Sequence, residues 1–125
     1  MAETELETHK RDEWTEKFVR LLEQKRFSEI RADYPSSPYN APKSIYGYTT
    51  AITAHDSHNR FCIIEVEMGD LSDPAVQQRL SAFGKYATLH KGAYWIIYSK
   101  DYEAKLPKVL KDLKLTEVVK FTKGV

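Results

Sequence analysis

The first hydrophobic positions of the chain recur with the spacing of a helix. Trp14, Phe18, Leu21 and Leu22 fall on one stripe, charged residues fill most of the other positions, and no proline or glycine interrupts the segment. This pattern predicts one amphipathic helix over residues 3–26.

Later segments have the residue patterns of strands, in which apolar residues either alternate with polar ones or form short continuous runs. The stretch 60–68 is apolar on both faces except for two glutamates, which is typical of a central strand. A polar turn separates it from 44–54, so these two segments are predicted to form an antiparallel hairpin. The predicted strands are residues 27–33, 44–54, 60–68, 93–99 and 116–121.

Two more helices are predicted between and after these strands. Asp73 and Pro74 have the residue types of a helix start, and Gly92 is the expected residue after the helix end. Residues 102–113 carry a second apolar stripe. Helices that alternate with strands indicate parallel crossovers, so the prediction is a single α/β domain over residues 1–125, a three-layer sandwich with a mixed central sheet flanked by helices.

Composition narrows the class of protein. The chain has 125 residues, of which 12% are aromatic and 42% hydrophobic, so an intrinsically disordered chain is not expected. The single cysteine, Cys62, excludes an internal disulfide framework and a cysteine-based zinc site. No apolar run approaches the ~18 residues of a membrane span, and residues 1–8 lack the apolar core of a signal peptide. The expectation is a cytoplasmic protein outside the membrane.

The charge distribution shows no block of basic residues. Formal net charge is +1, and the excess of lysine over acidic residues lies in residues 100–125. A dedicated duplex-binding protein normally presents a clustered basic face, because neutralised phosphates supply its affinity. The lysines therefore indicate a solvated helical surface.

Two glutamates are the strongest candidates for chemistry. Glu65 and Glu67 alternate along one predicted strand, so both carboxylates lie on the same face, with Cα atoms roughly 6.5–7 Å apart. Two acids on an apolar strand repel each other and lose hydration, which requires compensation. A divalent cation is one compensating group, and a lysine or arginine is another. The third alternative is that a glutamate reaches the solvent end of the strand.

Three segments carry a resemblance to a known group of proteins. They are residues 30–35 (IRADYP), 42–54 (PKSIYGYTTAITA) and 63–67 (IIEVE). Together with the helix that follows, residues 27–100 resemble small bacterial and archaeal proteins of the restriction-endonuclease-like (PD-(D/E)xK) nuclease superfamily. The motif of that superfamily is Pro-Asp, a hairpin, and then Asp or Glu-x-Lys, with Glu sometimes in place of Lys.

The resemblance implies a role for each matching residue. Glu65 corresponds to the second acid and Glu67 to the third motif residue, so both are candidate catalytic and metal-binding residues. Gln78 is the candidate for the glutamine that precedes an aromatic residue in related nucleases, although Arg79 is the residue four positions before Phe83.

The family's Pro-Asp falls on Thr50-Ala51, so the acid that bridges the metal is missing. The hairpin register predicts that Ala51 lies beside Glu65, and Asp56, in the turn, is too far away to replace that acid. The remaining candidates to replace the missing acid are Asp33, Glu13 and Glu16.

Three other features each have a structural and a functional interpretation. The four tyrosines of residues 34–48 either stack on bases or a partner, or cover a sheet edge. His55 and His58 lie in the hairpin turn, where exposed histidines are more common than metal ligands. Cys62 lies in a buried strand and is expected to be a small hydrophobic residue.

Two functions compete at this level. The first is a catalytically degenerate member of the superfamily that acts as an interaction module for nucleic acid or protein. The second is a weak Mg²⁺-dependent DNA endonuclease that uses Glu65 and Glu67. The expected cofactor is none, or weakly bound Mg²⁺ or Mn²⁺. The partners left open are DNA, a protein, and a second copy of the chain.

Overall fold

Five strands form one mixed sheet, and their order across the sheet is their order along the chain. The computed structural model describes residues 4–125. The strands are β1 (Ser28–Ala32), β2 (Ile52–His55), β3 (Phe61–Glu67), β4 (Ala93–Tyr98) and β5 (Val119–Gly124). The pairs β1–β2 and β2–β3 are antiparallel, and the pairs β3–β4 and β4–β5 are parallel. The α/β class and the mixed sheet are as predicted.

Three α-helices accompany the sheet within residues 4–125. They are α1 (Glu5–Gln24), α2 (Pro74–Leu89) and α3 (Leu106–Asp112), and a 3₁₀ helix over Lys100–Lys105 leads into α3. None of these helices has the length and apolar character needed to cross a membrane.

Alternation along β3 divides the core into two clusters. Ile63 packs in a cluster with α2 residues such as Leu80 and Phe83. Ile64 packs in the other cluster, which contains α1 residues such as Leu22. Because successive strand residues point to opposite faces, α1 and α2 cover opposite faces of the sheet.

The helix starts follow their capping residues. The Thr4 hydroxyl oxygen accepts a hydrogen bond from the Glu7 backbone nitrogen, and the Glu7 carboxylate accepts one from the Thr4 backbone nitrogen. The helix therefore begins at Glu5, and predicted position 3 lies outside the described residues. Asp73 caps α2 as predicted, with its side chain accepting from the Ala75 backbone.

The end of α2 differs from the prediction by one residue. Lys91 has the left-handed conformation, with φ of 53°, and the Gly92 backbone donates to the Ala87 carbonyl at 2.8 Å. Gly92 is required for a different reason, because a Cβ there would lie 2.6 Å from the carbonyl oxygen of Phe61. The glycine permits a close approach of two backbones.

The predicted strand over 44–54 is mostly irregular. Only Ile52–His55 joins the sheet, and a tight turn closes between Ile45 and Tyr48. Tyr46 and Gly47 both have positive φ within that turn, which extended backbone does not allow. The last strand also starts later than predicted, at Val119 instead of residue 116.

Candidate functional site

The two candidate glutamates occupy the carboxyl-terminal half of β3. Their side chains share one face of the sheet, as predicted, and Glu65 and Glu67 are only 1% and 3% exposed. Carboxylates buried to this degree need partners, because loss of hydration costs several kcal/mol per ion.

Backbone and hydroxyl groups surround one oxygen of Glu65. Its Oε1 accepts hydrogen bonds from the backbone nitrogens of Ala51 at 3.2 Å and Val66 at 3.1 Å. The Thr50 hydroxyl donates to the same oxygen at 3.3 Å. The prediction that Ala51 lies beside Glu65 is therefore confirmed, and its backbone contacts the carboxylate directly.

One arginine bridges the two glutamates. Arg79 Nε lies 3.3 Å from Glu65 Oε2, and Arg79 Nη2 donates to Glu67 Oε1. The first contact is a charge contact without hydrogen-bond alignment, since Nε forms no hydrogen bond. The remaining Glu67 oxygen accepts from the Gly69 backbone at 2.9 Å. An arginine, one of the compensating groups considered from the sequence, therefore contacts both glutamates.

A second arginine reaches the same region from α1. Arg11 Nη1 lies 3.7 Å from Asp33 Oδ2, and its guanidinium favours the charged form of Glu65. The Asp33 backbone donates to the Ala51 carbonyl at 2.9 Å, which sets Asp33 beside the position that lacks the motif acid. We call Glu65, Glu67, Arg79 and Arg11 the carboxylate cluster.

The other acids considered as replacements lie elsewhere. Glu13 and Glu16 form ion pairs one helical turn apart on α1, with Lys17 and Arg20. Asp56 caps the hairpin turn by accepting from the backbone of His58 and Arg60, each at 2.9 Å. Asp33 is therefore the one candidate replacement that approaches Ala51. Within residues 4–125, no three histidine, cysteine, aspartate or glutamate side chains are arranged to hold a metal ion.

Burial dominates the titration of Glu65. Removal from water raises the pKa of this carboxyl above its ordinary value, against the opposing effects of Arg11, Arg79 and the backbone donors. Burial likewise raises the pKa of Tyr94, whose hydroxyl donates to the Leu80 carbonyl at 2.9 Å. The cations and donors that face Glu65 therefore offset only part of the cost of burying its charged form.

Gln78 does not lie in this cluster. It is exposed on α2 and lines a shallow surface depression with Tyr46 and Lys85. The adjacent residue, Arg79, is the one that faces the glutamates. The helical offset of about 100° per residue separates the two side chains.

The remaining candidates have mainly structural environments. Cys62 is buried, and burial raises the pKa of its thiol to about 11. Tyr48 packs against Phe83 with ring centroids 6.4 Å apart, and Tyr34 and Tyr39 pack against the cluster that contains α1. His58 is exposed in the turn, whereas His55 is partly buried beside Phe61.

No family model, no curated protein and no solved structure matches this chain. The geometry of the described residues therefore has to carry the functional argument.

The sequence identified the two glutamates but not their cations. The apolar stripe of α2 includes the buried Leu80, and Arg79 is the residue before it. This position beside a buried residue was the sequence signal that Arg79 faces the sheet. No such sequence signal linked Arg11 to Glu65, because Arg11 lies on a different helix and 54 residues earlier in the chain.

Proposed function

We propose that this chain is a restriction-endonuclease-like domain that lacks metal-dependent cleavage and acts as an interaction module for nucleic acid or protein. The proposal includes a three-layer arrangement, a single domain and a cytoplasmic location. It also includes the correspondence of Glu65 and Glu67 to the nuclease motif.

The Arg79 bridge carries the proposal. All four carboxylate oxygens of Glu65 and Glu67 already have a partner: Glu65 Oε1 has three donors, Glu67 Oε2 has the Gly69 backbone, and the other two face Arg79. Mg²⁺ requires carboxylate oxygens in near-octahedral geometry, so it would have to displace the guanidinium first. The missing acid at Ala51 removes the third negative charge that would favour such an exchange.

The alternative is a weak Mg²⁺- or Mn²⁺-dependent endonuclease that uses Glu65, Glu67 and Asp33. Its support is the position of Asp33 beside Ala51 and the 48% exposure of the Asp33 side chain. In this alternative, Arg11 and Arg79 must both leave the carboxylates before metal binds.

A cleavage assay separates the two functions. Supercoiled plasmid, single-stranded DNA and RNA are incubated with the chain in Mg²⁺ and in Mn²⁺, and the expected result is no cleavage. The matched variants are Glu65→Gln in the cluster and Glu13→Gln on the exposed side of α1. Cleavage that disappears in Glu65→Gln and persists in Glu13→Gln would overturn the proposal, whereas cleavage unchanged in both variants identifies a contaminating nuclease.

A further inference from the structure

A second concave region lies at the opposite end of the sheet. Phe61 begins β3 and Glu67 ends it, so the two ends are about 20 Å apart along the strand. A pocket of about 580 Å³ opens there between the edge strand β1, the loop 38–45, the hairpin and α2. We call it the aromatic pocket.

Three rings form one wall of the aromatic pocket. The centroid of Phe61 is 5.6 Å from that of His55 and 5.9 Å from that of Tyr86, both in edge-to-face contact. Tyr86 also contacts His90 at 4.1 Å. Because the rings sit on two strands and a helix, they are held in place before any ligand arrives, which lowers the entropic cost of binding.

Polar and cationic groups face this wall without partners of their own. The side chains of Asn40, Lys43 and Ser44 line the pocket and form no hydrogen bond or ion pair with any residue from 4 to 125. Arg31 adds a second positive charge, and only its Nη1 is engaged, with the Ala41 carbonyl at 3.2 Å.

His55 adds a charge contact to the pocket lining. Its buried Nδ1 lies 2.7 Å from a Glu29 oxygen and has no other partner within residues 4–125. Glu29 is the one acid that lines the pocket, and its side chain is 72% exposed. The pocket therefore combines an aromatic wall, two cations against one acid, and exposed polar side chains that have no partner among the described residues.

We propose that the aromatic pocket binds a nucleotide, with the base against the ring wall and the phosphate near Lys43 and Arg31. A purely apolar ligand would make no polar contact with the cations or with the Asn40 amide. A simple anion would make no contact with the aromatic rings. A nucleotide supplies both a π-face and an anion.

The surroundings of the pocket suit a nucleotide within a strand as well as a free one. A second depression of about 450 Å³ shares His55, Phe61 and Tyr86 with the pocket and adds Arg60 and Lys91. The phosphate of the next nucleotide in a strand would lie near these two cations. The inference adds a ligand and a site to the interaction role proposed above, and it does not depend on whether Glu65 and Glu67 bind metal.

Calorimetric titration of the full chain tests the proposal with defined probes. The probes are 5′-AMP, adenosine, inorganic phosphate and a short single-stranded oligonucleotide. We expect 5′-AMP to bind more tightly than adenosine or phosphate alone. We expect Lys43→Ala to weaken it about tenfold, the equivalent of about 1.4 kcal/mol. The matched control is Lys111→Ala, which removes an exposed lysine from α3 outside the pocket.

The outcomes distinguish this proposal from the previous one. Tighter, salt-dependent binding of the oligonucleotide assigns the site to a strand, and equal or weaker binding assigns it to a free nucleotide; both support the inference. It is overturned if 5′-AMP shows no binding at millimolar concentration, or if Lys43→Ala and Lys111→Ala change its affinity equally. Binding of phosphate as tight as that of 5′-AMP overturns the role of the ring wall. None of these results bears on cleavage, which the plasmid assay measures separately.

Discussion

The two ends of the sheet use polar residues in opposite ways. In the carboxylate cluster, buried glutamates meet arginines and backbone donors, and no carboxylate oxygen of Glu65 or Glu67 lacks a partner. In the aromatic pocket, Lys43 and its neighbours face an open cavity without partners among the described residues. Buried charges that already contact one another are not available to a ligand, whereas groups without partners around a cavity are. This difference separates the resemblance to a nuclease site from the surface that we propose for binding.

The largest predicted effect comes from removing the bridging cation. Arg79→Met leaves two buried carboxylates without it, so the free energy of unfolding should fall by about 3–5 kcal/mol in a urea titration. Arg20→Met is the control, because Arg20 forms an exposed pair with Glu16 and should cost no more than about 0.5 kcal/mol.

A second set of variants sharpens the interpretation of Arg79. If the loss arises from uncompensated charge, Glu65→Gln or Glu67→Gln should recover part of it in the Arg79→Met background. Equal losses in Arg79→Met and Arg20→Met, or no recovery in the double variants, would show that the bridge does not stabilise the carboxylates.

At the aromatic end, the next largest effect should come from Gly92→Ala. The added Cβ would lie 2.6 Å from the Phe61 carbonyl oxygen, a backbone atom that moves only with β3. We expect a loss of about 1–3 kcal/mol in the free energy of unfolding, together with weaker 5′-AMP binding as the Phe61 ring shifts. Unchanged stability would mean that the two backbones separate at no cost. Unchanged affinity for 5′-AMP would show that Phe61 does not contact the ligand.

The pH dependence of stability should report Glu65. Because burial raises the pKa of this carboxyl in the folded chain above its ordinary value of 4.5, the folded state holds the proton more tightly than the unfolded state. This group therefore favours folding most at low pH, and its contribution falls as the pH rises from 4.5 through the raised pKa. Glu65→Gln should flatten that slope in urea titrations across this range. The exposed control Glu13→Gln should keep it, and an unchanged slope in Glu65→Gln would contradict the account.

The smallest effect is a gain in stability at the aromatic end. Lys91 has φ of 53°, a conformation in which glycine avoids strain, so Lys91→Gly should raise the free energy of unfolding by about 0.5–1 kcal/mol. Lys114, with φ of 59° after α3, is the matched position. Both variants should gain stability, but only Lys91→Gly should weaken oligonucleotide binding. Equal affinity in both would exclude Lys91 from the binding surface.

Much of the fold was predictable because the buried segments have clear periodicity. β4 is a continuous apolar run, β3 is apolar except for its two glutamates, and the helices carry regular stripes, so their type and pairing followed from the sequence. Residues 44–51 misled the prediction because aromatic and β-branched residues there form a tight turn. Gly47 was the one local signal of that turn, and composition outweighed it.

The candidate site was predictable only as far as strand geometry reaches. Alternation placed Glu65 and Glu67 on one face, and the hairpin register placed Ala51 beside Glu65. The cations come from α1 and α2, and which of their residues meet the strand depends on how each helix packs on the sheet. The stripe of α2 shows that Arg79 lies beside a buried residue, but it does not show which strand residues Arg79 meets. Its contact with the two glutamates became visible only in the structure.

We propose that Arg79 occupies the position where a metal ion would lie if Glu65 and Glu67 formed a nuclease site. Calorimetric titration of the unmodified chain with Mn²⁺ tests it most directly, with Glu65→Gln as the reference. The account predicts the same weak, unsaturated heats for both proteins through the millimolar range. A saturable single-site isotherm with submillimolar affinity that is lost in Glu65→Gln would contradict it, because the carboxylates would then be available to metal despite the arginine.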